Sequence, residues 1–323
     1  MHVPTYFGVD VDSRFLVTTQ YDCEGSTSIA NAPKAIQSWL ASLPPGAVVA
    51  MEATSQYHLP LALAAHAAGF TTYVIHPRDL KHYARGLGRR GKTDAMDAWV
   101  IARYAAKEND KLYPFQPLTP QEQELQTCQR ERNAIAQVRT QLQQSLSSHG
   151  PVNPALRPLM KQLAKDLKAA DRRILDCIRA HAPYQALAKR LRSVPGFGAL
   201  VAAGLVQGLL RRPFRSIDAW IASTGLDPRP NDSGKRSGQR HLSKRGPGRL
   251  RQLLYMAAMT FARTPMGLAI FQHYTNRTRL STTAAYNVIA RLLARVAWTL
   301  HRNDARFDPQ RFASDHGIAM ASA

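Results

Sequence analysis

Four carboxylates occupy positions from which an α/β fold could bring them together. Asp10 ends one apolar run, and Glu52 directly follows another, Val48–Met51. Asp94 and Asp97 lie three residues apart in a segment of helical pattern, so they share one face of a helix. Mg²⁺ prefers carboxylate oxygens, with water and phosphate completing its shell. The pattern therefore predicts a magnesium site, and two ions roughly 4 Å apart would suit the cutting of a phosphodiester.

Each acid also has a purely structural explanation. The helix dipole alone favours Asp94 in a first turn, and Asp10 could cap a hairpin. Asp12 and Asp79 are weaker ligand candidates, because both stand in turns. Actin-like ATPases also begin with a strand, an Asp and a turn, but they require Gly-rich phosphate loops, which Gly86-Leu-Gly88 matches poorly. The four acids together, ahead of a strongly basic segment, favour the metal site.

The elements that must position these acids follow an α/β layered pattern in residues 1–115. Apolar runs and turn residues predict strands, and apolar residues at helical spacing predict helices. The predicted strands are Tyr6–Val11, Phe15–Thr19, Ala47–Met51 and Thr71–Ile75, and the predicted helices are Pro33–Leu43, Leu59–Ala68 and Thr93–Lys107.

The middle segment, residues 116–185, is predicted to be a helical hairpin or coiled coil. A helix over Gln121–Ser147 follows the linker Pro117–Pro120. A second helix carries apolar residues at alternating spacings of four and three, and Gly150, Pro151 and Pro154 separate the two helices. The apolar seam, which is either an internal core or a dimer interface, comprises Leu156, Met160, Leu163, Leu167, Ala170, Ile174 and Cys177.

The charge of the chain is concentrated in its C-terminal segment. The 323 residues contain 43 Lys and Arg against 22 Asp and Glu, a formal net charge of +21. Residues 186–323, which are predicted to be mostly helical, contain 22 basic residues, 6 Asp and no Glu. Residues 1–115 are nearly neutral, with 11 basic and 10 acidic residues. Such a surplus indicates a polyanionic partner, most simply nucleic acid.

Two motifs in residues 186–323 suit the binding of phosphates. The turn Ser193-Val-Pro-Gly196-Phe-Gly198 lies between two predicted helices, and resembles a helix-hairpin-helix, although an ordinary tight turn remains open. The segment Asp227–Arg251 is a polar, basic loop that could follow a sugar–phosphate backbone. Its candidate contacts are Arg229, Lys235, Arg236, Arg240, Lys244, Arg245, Arg249 and Arg251. Its three serines, at 233, 237 and 243, cannot be ranked as nucleophiles by composition.

Several classes of protein are disfavoured. An uninterrupted apolar run of about 20 residues, which a membrane span needs, is absent from the sequence. The first residues carry acids where a signal peptide has its apolar segment. Cys23, Cys128 and Cys177 are too few and too scattered for a disulfide framework or a zinc site. We therefore expect a protein of a reducing cytoplasm.

The motifs, taken in order, resemble the DEDD transposases of the IS110 group of insertion sequences, whose elements encode a bridge RNA. The similarity covers nearly the whole chain. One departure is Ser55, which stands where relatives commonly have Gly after Glu-Ala-Thr. The blocks that carry the resemblance are Gly-Val-Asp10, Met-Glu52-Ala-Thr, Lys92-Thr-Asp94-Ala-Met-Asp97-Ala, Ser193-Val-Pro-Gly-Phe-Gly198, Gly225-Leu-Asp-Pro-Arg229, Ser233-Gly and Leu242-Ser-Lys-Arg-Gly246.

The resemblance implies a RuvC-like N-terminal domain with the RNase H fold over residues 1–115, a coiled coil over 116–185 and a transposase domain over 186–323. It implies that Asp10, Glu52, Asp94 and Asp97 bind Mg²⁺, as two ions in one composite site. It places the nucleophile at Ser233, with Ser237 as a second Ser-Gly candidate. The implied partners are target and donor DNA, a bridge RNA, and further copies in a dimer of dimers whose protomers share sites. A cytoplasmic, nucleoid-associated bacterial protein is expected.

Three functions therefore compete. A recombinase would attack DNA with its serine and form a 5′-phosphoserine. A RuvC-type nuclease would need only the acids and a water molecule. A nucleic-acid-binding protein without catalysis would need no cluster of acids.

Overall fold

The computed structural model describes residues 4–88, 93–147, 154–229, 232–233, 236–237 and 241–317, with only the backbone of 232–233 and 236–237. The chain forms two compact units, residues 1–118 and residues 119–323. The predicted helix breaks at Gly150 and Pro151 lie outside the described residues, whereas Pro154 begins a 3₁₀ turn.

The first unit is a five-stranded mixed sheet with four helices. The sheet order is β3-β2-β1-β4-β5, in which β1, β2 and β3 are antiparallel and β1, β4 and β5 are parallel. The expected α/β layering is confirmed. The elements are β1 (Tyr6–Val11), β2 (Phe15–Gln20), β3 (Thr27–Ala30), α1 (Pro33–Ala41), β4 (Val48–Glu52), α2 (Leu59–Ala67), β5 (Thr71–Ile75), α3 (Pro77–Gly86) and α4 (Asp94–Lys107).

The two faces of the sheet bury different residues. Val9 and Val11 of β1 and Val49 and Met51 of β4 pack with α1 and α2 on one face. Ala50 packs with residues of α3 and α4 on the other face. Because side chains alternate along a strand, Asp10 and Glu52 project to the face that α4 covers.

Helix α4 lies directly on strand β1 at Gly8. A Cβ atom on Gly8 would stand 2.1 Å from the carbonyl oxygen of Ala98 and 2.3 Å from the backbone nitrogen of Ala102. No side chain fits in that space. Gly8 therefore permits the close approach of helix and sheet that brings the start of α4 near Asp10.

The second unit is mostly helical. A single buried cluster joins residues from α5 to α13, including Leu125, Leu205, Trp220 and Leu293. The indole N–H of Trp220 donates to the carbonyl oxygen of Ala294, which ties α9 to α12. The helices are α5 (Pro120–Ser147), α6 (Arg157–Ala180), α7 (Ala182–Leu191), α8 (Ala199–Leu210), α9 (Ile217–Thr224), α10 (Gly248–Phe261), α11 (Pro265–Gln272), α12 (Thr282–Arg302) and α13 (Pro309–Asp315).

The predicted apolar seam of α6 divides into two parts. Ala170, Ile174 and Cys177 are buried, and the last two belong to the core cluster of the second unit, whereas Leu163 and Leu167 are half-buried. The sulfur atoms of Cys128 and Cys177 lie 3.7 Å apart, so two cysteines distant in sequence meet between α5 and α6. The C-terminal half of the seam is thus internal core.

The structure adds elements that the sequence patterns did not predict. Strand β3 is mostly exposed at the sheet edge, so it lacks an apolar pattern. Helix α3 has a strongly polar composition, with Leu80 as its buried residue, and α13 has seven residues. The segment predicted as a loop between Asp227 and Pro247 contains two short antiparallel ladders, formed by β6 (Pro228–Arg229) with β9 (His241–Leu242) and by β7 (Asp232–Ser233) with β8 (Arg236–Ser237).

Within the described residues, every single helix is too short or too polar to cross a membrane. Helices Gly248–Phe261 and Pro265–Arg277, which meet at a bend of 103°, satisfy the length and composition criteria only as a pair.

Candidate metal centre and basic loop

Asp10 and Glu52 are neighbours because their strands are parallel. Val9 is in register with Met51, so the two acids that follow stand side by side at the same edge of the sheet. Each comes after strongly buried residues, since Val9 and Met51 are fully buried, and each is itself half-buried. The sheet thus presents two adjacent carboxylates toward α4.

Asp94 and Asp97 reach the same region from the start of α4. Thr93 caps the helix, because its side-chain oxygen accepts a hydrogen bond from the N–H of Met96 at 3.3 Å. Asp94 and Asp97 occupy the first turn, within four residues of Ala98, which contacts β1 at Gly8. The helix dipole favours acids there, but it does not require two on one face.

The electrostatics of Asp10 show that the four acids interact. Burial, followed by the negative charges of Asp97, Asp94 and Glu52, raises the pKa of Asp10 from 3.8 to about 6. A hydrogen bond from the N–H of Val11 opposes this effect only in part. Burial and the neighbouring charges therefore destabilise the ionised form of Asp10 more than the hydrogen bond from Val11 stabilises it.

The donor set suits a hard divalent cation. All four side chains offer carboxylate oxygens, which Mg²⁺ prefers, and a cation would offset the charge that raises the pKa of Asp10. Among the described residues, however, no three His, Cys, Asp or Glu side chains are close enough together to enclose an ion. The four carboxylates lie in one region, but their described positions do not form a closed coordination shell. Their role as ligands stays a prediction.

Asn31 was not predicted from the sequence, yet it joins the two loops that follow the acidic strands. Its side-chain nitrogen donates to the carbonyl oxygen of Asp12, two residues after Asp10, at 2.9 Å. It also donates to the carbonyl oxygen of Tyr57, in the loop after Glu52, at 3.2 Å. Because both acceptors are backbone atoms, no side-chain motif marks this contact.

The loop after Glu52 also contains a strained residue. Ser55 has a φ of +46°, in the left-handed region that favours glycine. This is the position at which relatives of the resembled family commonly have Gly. Ser55 therefore adopts this backbone conformation with some strain, which a glycine would avoid.

We expect Asn31→Ala to lower the free energy of unfolding by about 1–2 kcal/mol, since two hydrogen bonds are lost. We also expect a severalfold higher metal concentration for half-maximal DNA cleavage, because the loops beside Asp10 and Glu52 would be untied. Thermal unfolding and a metal titration of cleavage measure the two effects. Asn109→Ala is the control, because Asn109 also donates twice from its side chain, to Tyr6 and Ala106. An equal change in metal dependence in both variants would refute the link.

The basic loop places the candidate serines on paired strands. Ser233 is in register with Arg236, and Ser237 with Asp232. The side chains of Ser233 and Arg236 lie outside the described residues, as do Lys235 and Arg240 in full. The two Ser-Gly candidates therefore occupy adjacent short strands, and the backbone alone does not rank them.

Ser243, by contrast, has a structural role. Its hydroxyl is buried and donates to the carboxylate of Asp227, and its N–H donates to the Asp227 carbonyl oxygen at 2.9 Å. Gly246 follows, where a Cβ atom would stand 2.0 Å from the carbonyl oxygen of Ser223. These contacts close the base of the loop against the end of α9.

Ser243→Ala is expected to lower the free energy of unfolding by about 1–3 kcal/mol, because the Asp227 carboxylate loses its donor. Urea unfolding followed by circular dichroism measures this. Ser223→Ala is the control, since its hydroxyl donates to the carbonyl oxygen of Trp220 and leaves no carboxylate unpaired. A loss no larger than that of the control would contradict the assignment.

Arg251 has a structural role within the second unit, and its predicted role in nucleic-acid binding stays a prediction. Its guanidinium is half-buried and donates to the carbonyl oxygens of Gly246 and Thr224, so it supports the base of the loop. The other described candidates differ in exposure: Lys244 and Arg245 are exposed, whereas Arg229 and Arg249 are half-buried. Lys244 has a φ of +55°, which marks a sharp turn there.

The Ser193–Gly198 turn joins α7 to α8, as predicted. Gly196 has a φ of +89°, and a Cβ atom on it would stand 2.7 Å from the carbonyl oxygen of Ala257 in α10. Packing therefore explains Gly196, and its predicted contact with phosphate has no support from this geometry. Gly198 precedes the first turn of α8 without a side-chain cap, so its phosphate role stays a prediction.

Two family models match the chain. A transposase model, the DEDD type of IS110, matches residues 8–149, and a model described as transposase of the IS116/IS110/IS902 family matches residues 188–274. The DEDD transposase domain implies a RuvC-like fold, in agreement with the mixed sheet, and suggests dependence on a divalent metal. Neither the metal nor its stoichiometry is identified by the match.

Two relatives are similar over most of the chain, and a third is similar over about half of it. The pilin gene-inverting protein of Moraxella bovis is 27% identical, over 80% of this chain and 81% of that protein. The transposase for insertion sequence element IS1328 of Yersinia enterocolitica is 26% identical, over 92% and 96%. A protein of insertion element IS116 of Streptomyces clavuligerus is 32% identical, over 47% of this chain and 39% of its own length.

Proposed function

Since the chain belongs to the IS116/IS110/IS902 family of insertion-sequence transposases, we propose that it recombines DNA through a 5′-phosphoserine at Ser233. The family supports a DNA-recombining enzyme in general. The use of a serine nucleophile and of Mg²⁺ is what we propose in addition. The observation that supports it is the group of four interacting carboxylates: burial, followed by the negative charges of the other three acids, raises the pKa of Asp10 to about 6. A protein that only bound nucleic acid would have no use for this concentration of negative charge.

The acids would hold the metal and orient the scissile phosphate. Asp10 and Glu52 come from adjacent parallel strands, and Asp94 and Asp97 come from one helical turn. Mg²⁺, in a pair of ions, would neutralise charge on the phosphate and favour loss of the serine proton. Because two pairs of ligands come from different elements, the site would depend on the packing of α4 against the sheet.

Ser233 would act as the nucleophile. A bond forms between its side-chain oxygen and phosphorus, and the bond from phosphorus to the 3′-oxygen breaks. The serine proton is transferred to the departing 3′-oxygen, which leaves a free 3′-hydroxyl and a 5′-phosphoserine. The covalent bond conserves the energy of the phosphodiester, so the strand can be rejoined without ATP. Attack by water would instead give simple hydrolysis.

The basic residues would hold nucleic acid beside this chemistry. The exposed side chains of Lys244 and Arg245 and the half-buried Arg229 suit contacts with sugar–phosphate backbones. We extend the proposal to guidance by a bridge RNA, and to a dimer of dimers, on the resemblance of the motifs. The surplus of basic residues in 186–323 supports two polyanionic partners rather than one.

The test mixes purified protein with DNA spanning the element junction and with RNA transcribed from the DNA flanking the gene. We expect a protein–DNA adduct that resists denaturant and requires both the RNA and Mg²⁺. Cleavage without an adduct would favour the hydrolytic nuclease, and binding without cleavage would favour the non-catalytic protein. An adduct that forms equally well without RNA would remove RNA guidance but leave the recombinase.

A further inference from the structure

We propose that a cleft between the helical hairpin and the C-terminal helices binds one phosphodiester group of a nucleic-acid strand. The cleft lies within the second unit and opens to solvent. The cleft would extend the surface that binds nucleic acid from the basic loop to α5. Sequence patterns predicted no contact with a ligand in α5. It is lined by Gln129, Arg132 and Asn133 of α5, Ile174 of α6, Leu200 of α8, and Arg249 and Leu253 of α10.

Two arginines line this cleft, and one of them forms an ion pair with a carboxylate. Arg132 donates from Nε to Asp171 at 2.9 Å, and its side chain is only 15% exposed. Arg249 donates to the neutral side chain of Gln252, also at 2.9 Å. Across the described part of the second unit, Asp171 is the one carboxylate that forms an ion pair with either arginine. The cluster therefore retains a net positive charge in a partly buried place.

The surroundings strengthen the attraction for an anion. Ile174, Leu200 and Leu253 give the cleft an apolar wall, which lowers the local dielectric constant. Burial, followed by the positive charge of Arg132, lowers the pKa of Arg249, so the two guanidiniums repel each other without an anion. A negative group placed between them would remove this repulsion.

The start of α10 adds a second source of positive potential. The helix begins at Gly248, and Pro247 before it supplies no side-chain cap. The first-turn N–H groups and the helix dipole favour an anion there. Arg249 is the second residue of this helix, so its side chain and the helix terminus act on the same region.

The chemistry of the lining favours a phosphodiester. Arginine guanidiniums match phosphate oxygens with paired hydrogen bonds, and the amides of Gln129 and Asn133 add neutral donors. The lining residues include no aromatic ring on which a base could stack, so the cleft suits a backbone phosphate rather than a whole nucleotide. Arg249 belongs both to the basic segment Asp227–Arg251 and to the lining of the cleft, so a strand held by that segment would lie next to the cleft.

The test compares Arg132→Gln and Arg249→Gln with Arg130→Gln in α5 and Arg263→Gln just after α10, which remove exposed arginines. Affinities for labelled DNA and RNA strands are measured with the full chain at several salt concentrations. At 0.15 M salt we expect about tenfold weaker binding for each cleft variant. The controls should lose less than threefold, and the double cleft variant should lose less than the product of the two single effects. Losses equal to those of the controls would overturn the proposal.

A neutral methylphosphonate placed at single positions of the strand identifies the phosphate. We expect one linkage at which the substitution lowers the affinity of the wild type for the strand but does not lower the affinity of Arg249→Gln. The experiments with DNA and with RNA show which of the two strands is bound. If affinity depended on the position of the methylphosphonate in the same way in both proteins, the proposal that the cleft binds a phosphate would be refuted. Stabilisation by inorganic phosphate alone, without an effect on strand binding, would make it a small-anion site. Arg132→Lys, which keeps the charge, separates a folding defect from a lost contact.

The inference rests on the proposed function, but the two can fail separately. A wild-type chain that binds neither DNA nor RNA would remove both. If the wild type bound strands normally and the cleft variants bound them equally well, only the proposal for the cleft would fail. The proposed function would stand, because strand affinity does not report on catalysis.

Discussion

Replacing Asp10 with Asn is expected to abolish strand cleavage and, without metal, to stabilise the folded protein at pH 7.5. Cleavage should fall by roughly 10³-fold, because an amide is a poor ligand for the metal that would stabilise charge on the phosphate. Stability should rise because the variant lacks a carboxylate that Asp97, Asp94 and Glu52 repel. A residue that served only the fold would show the opposite effect on stability.

The pH dependence gives this prediction its sign. The pKa of Asp10 in the folded chain, about 6, lies above the ordinary value of 3.8. Between these values the folded chain keeps a proton that the unfolded chain has lost, so the free energy of unfolding falls as pH rises through this window. Because Asp10 is only half-buried, solvent screening reduces the cost of its charge to about 1 kcal/mol.

Calorimetry in EDTA at pH 4 and pH 7.5 measures this effect. We expect the variant to melt about 2–4 °C higher than the wild type at pH 7.5, with little difference at pH 4. Mg²⁺ should raise the melting temperature of the wild type more than that of the variant. A variant that is less stable at pH 7.5 would contradict the repulsion, and undiminished cleavage would remove Asp10 from the site.

Asp12→Asn is the matched control, two residues along the chain. Hydrogen bonds from the N–H groups of Arg14 and Ser13 lower the pKa of Asp12, which is the reverse of the shift at Asp10. The same substitution should therefore not stabilise the protein at pH 7.5, and cleavage should be retained. Equal changes in melting temperature and in cleavage for the two variants would show that the effect is not specific to Asp10, and that removal of any negative charge in this region has the same result.

Replacing Ser233 with Ala is expected to eliminate the covalent adduct entirely, since no other atom of the residue can attack phosphorus. Ser237→Ala is the natural comparison, because it also precedes a glycine and lies on the paired strand. We expect the adduct to persist in that variant. Denaturing gels of labelled DNA, followed by mass spectrometry of the modified peptide, measure both.

The outcomes of the serine experiment exclude one another. Loss of the adduct with Ser237→Ala, but not with Ser233→Ala, would transfer the nucleophile to Ser237. Cleavage that survives both changes would indicate attack by water. Ser243→Ala is expected to keep the adduct while reducing stability, because its hydroxyl is occupied by Asp227.

The acidic half of the site could be predicted because its signals are local. Asp10 and Glu52 directly follow buried residues, so charge at the end of an apolar run marks each position. Asp94 and Asp97 have helical spacing, and α4 begins at Asp94. Strand β3 could not be predicted in this way, because exposed edge strands carry no apolar pattern.

Long-range contacts explain what sequence patterns missed. Asn31 binds backbone carbonyl groups of two loops, and composition does not record such acceptors. Ser243 resembles the other serines of the loop until its pairing with Asp227, sixteen residues earlier, is known. Arg251 was predicted to bind nucleic acid on charge alone, and the backbone oxygens that it binds became evident only in the folded unit.

The close contact at Gly8 has a consequence for the choice of ion. Half of the acids belong to the sheet and half to α4, so the width of the gap between them is set where helix and strand touch. At Gly8 that spacing is fixed by a missing side chain, since even one carbon atom would meet the backbone of Ala98 and Ala102. Mg²⁺ requires short bonds of about 2.0–2.1 Å, whereas Ca²⁺ accepts about 2.3–2.6 Å. Discrimination between the two ions would therefore depend on Gly8, a residue two positions before Asp10 that has no polar side chain and binds no ion itself.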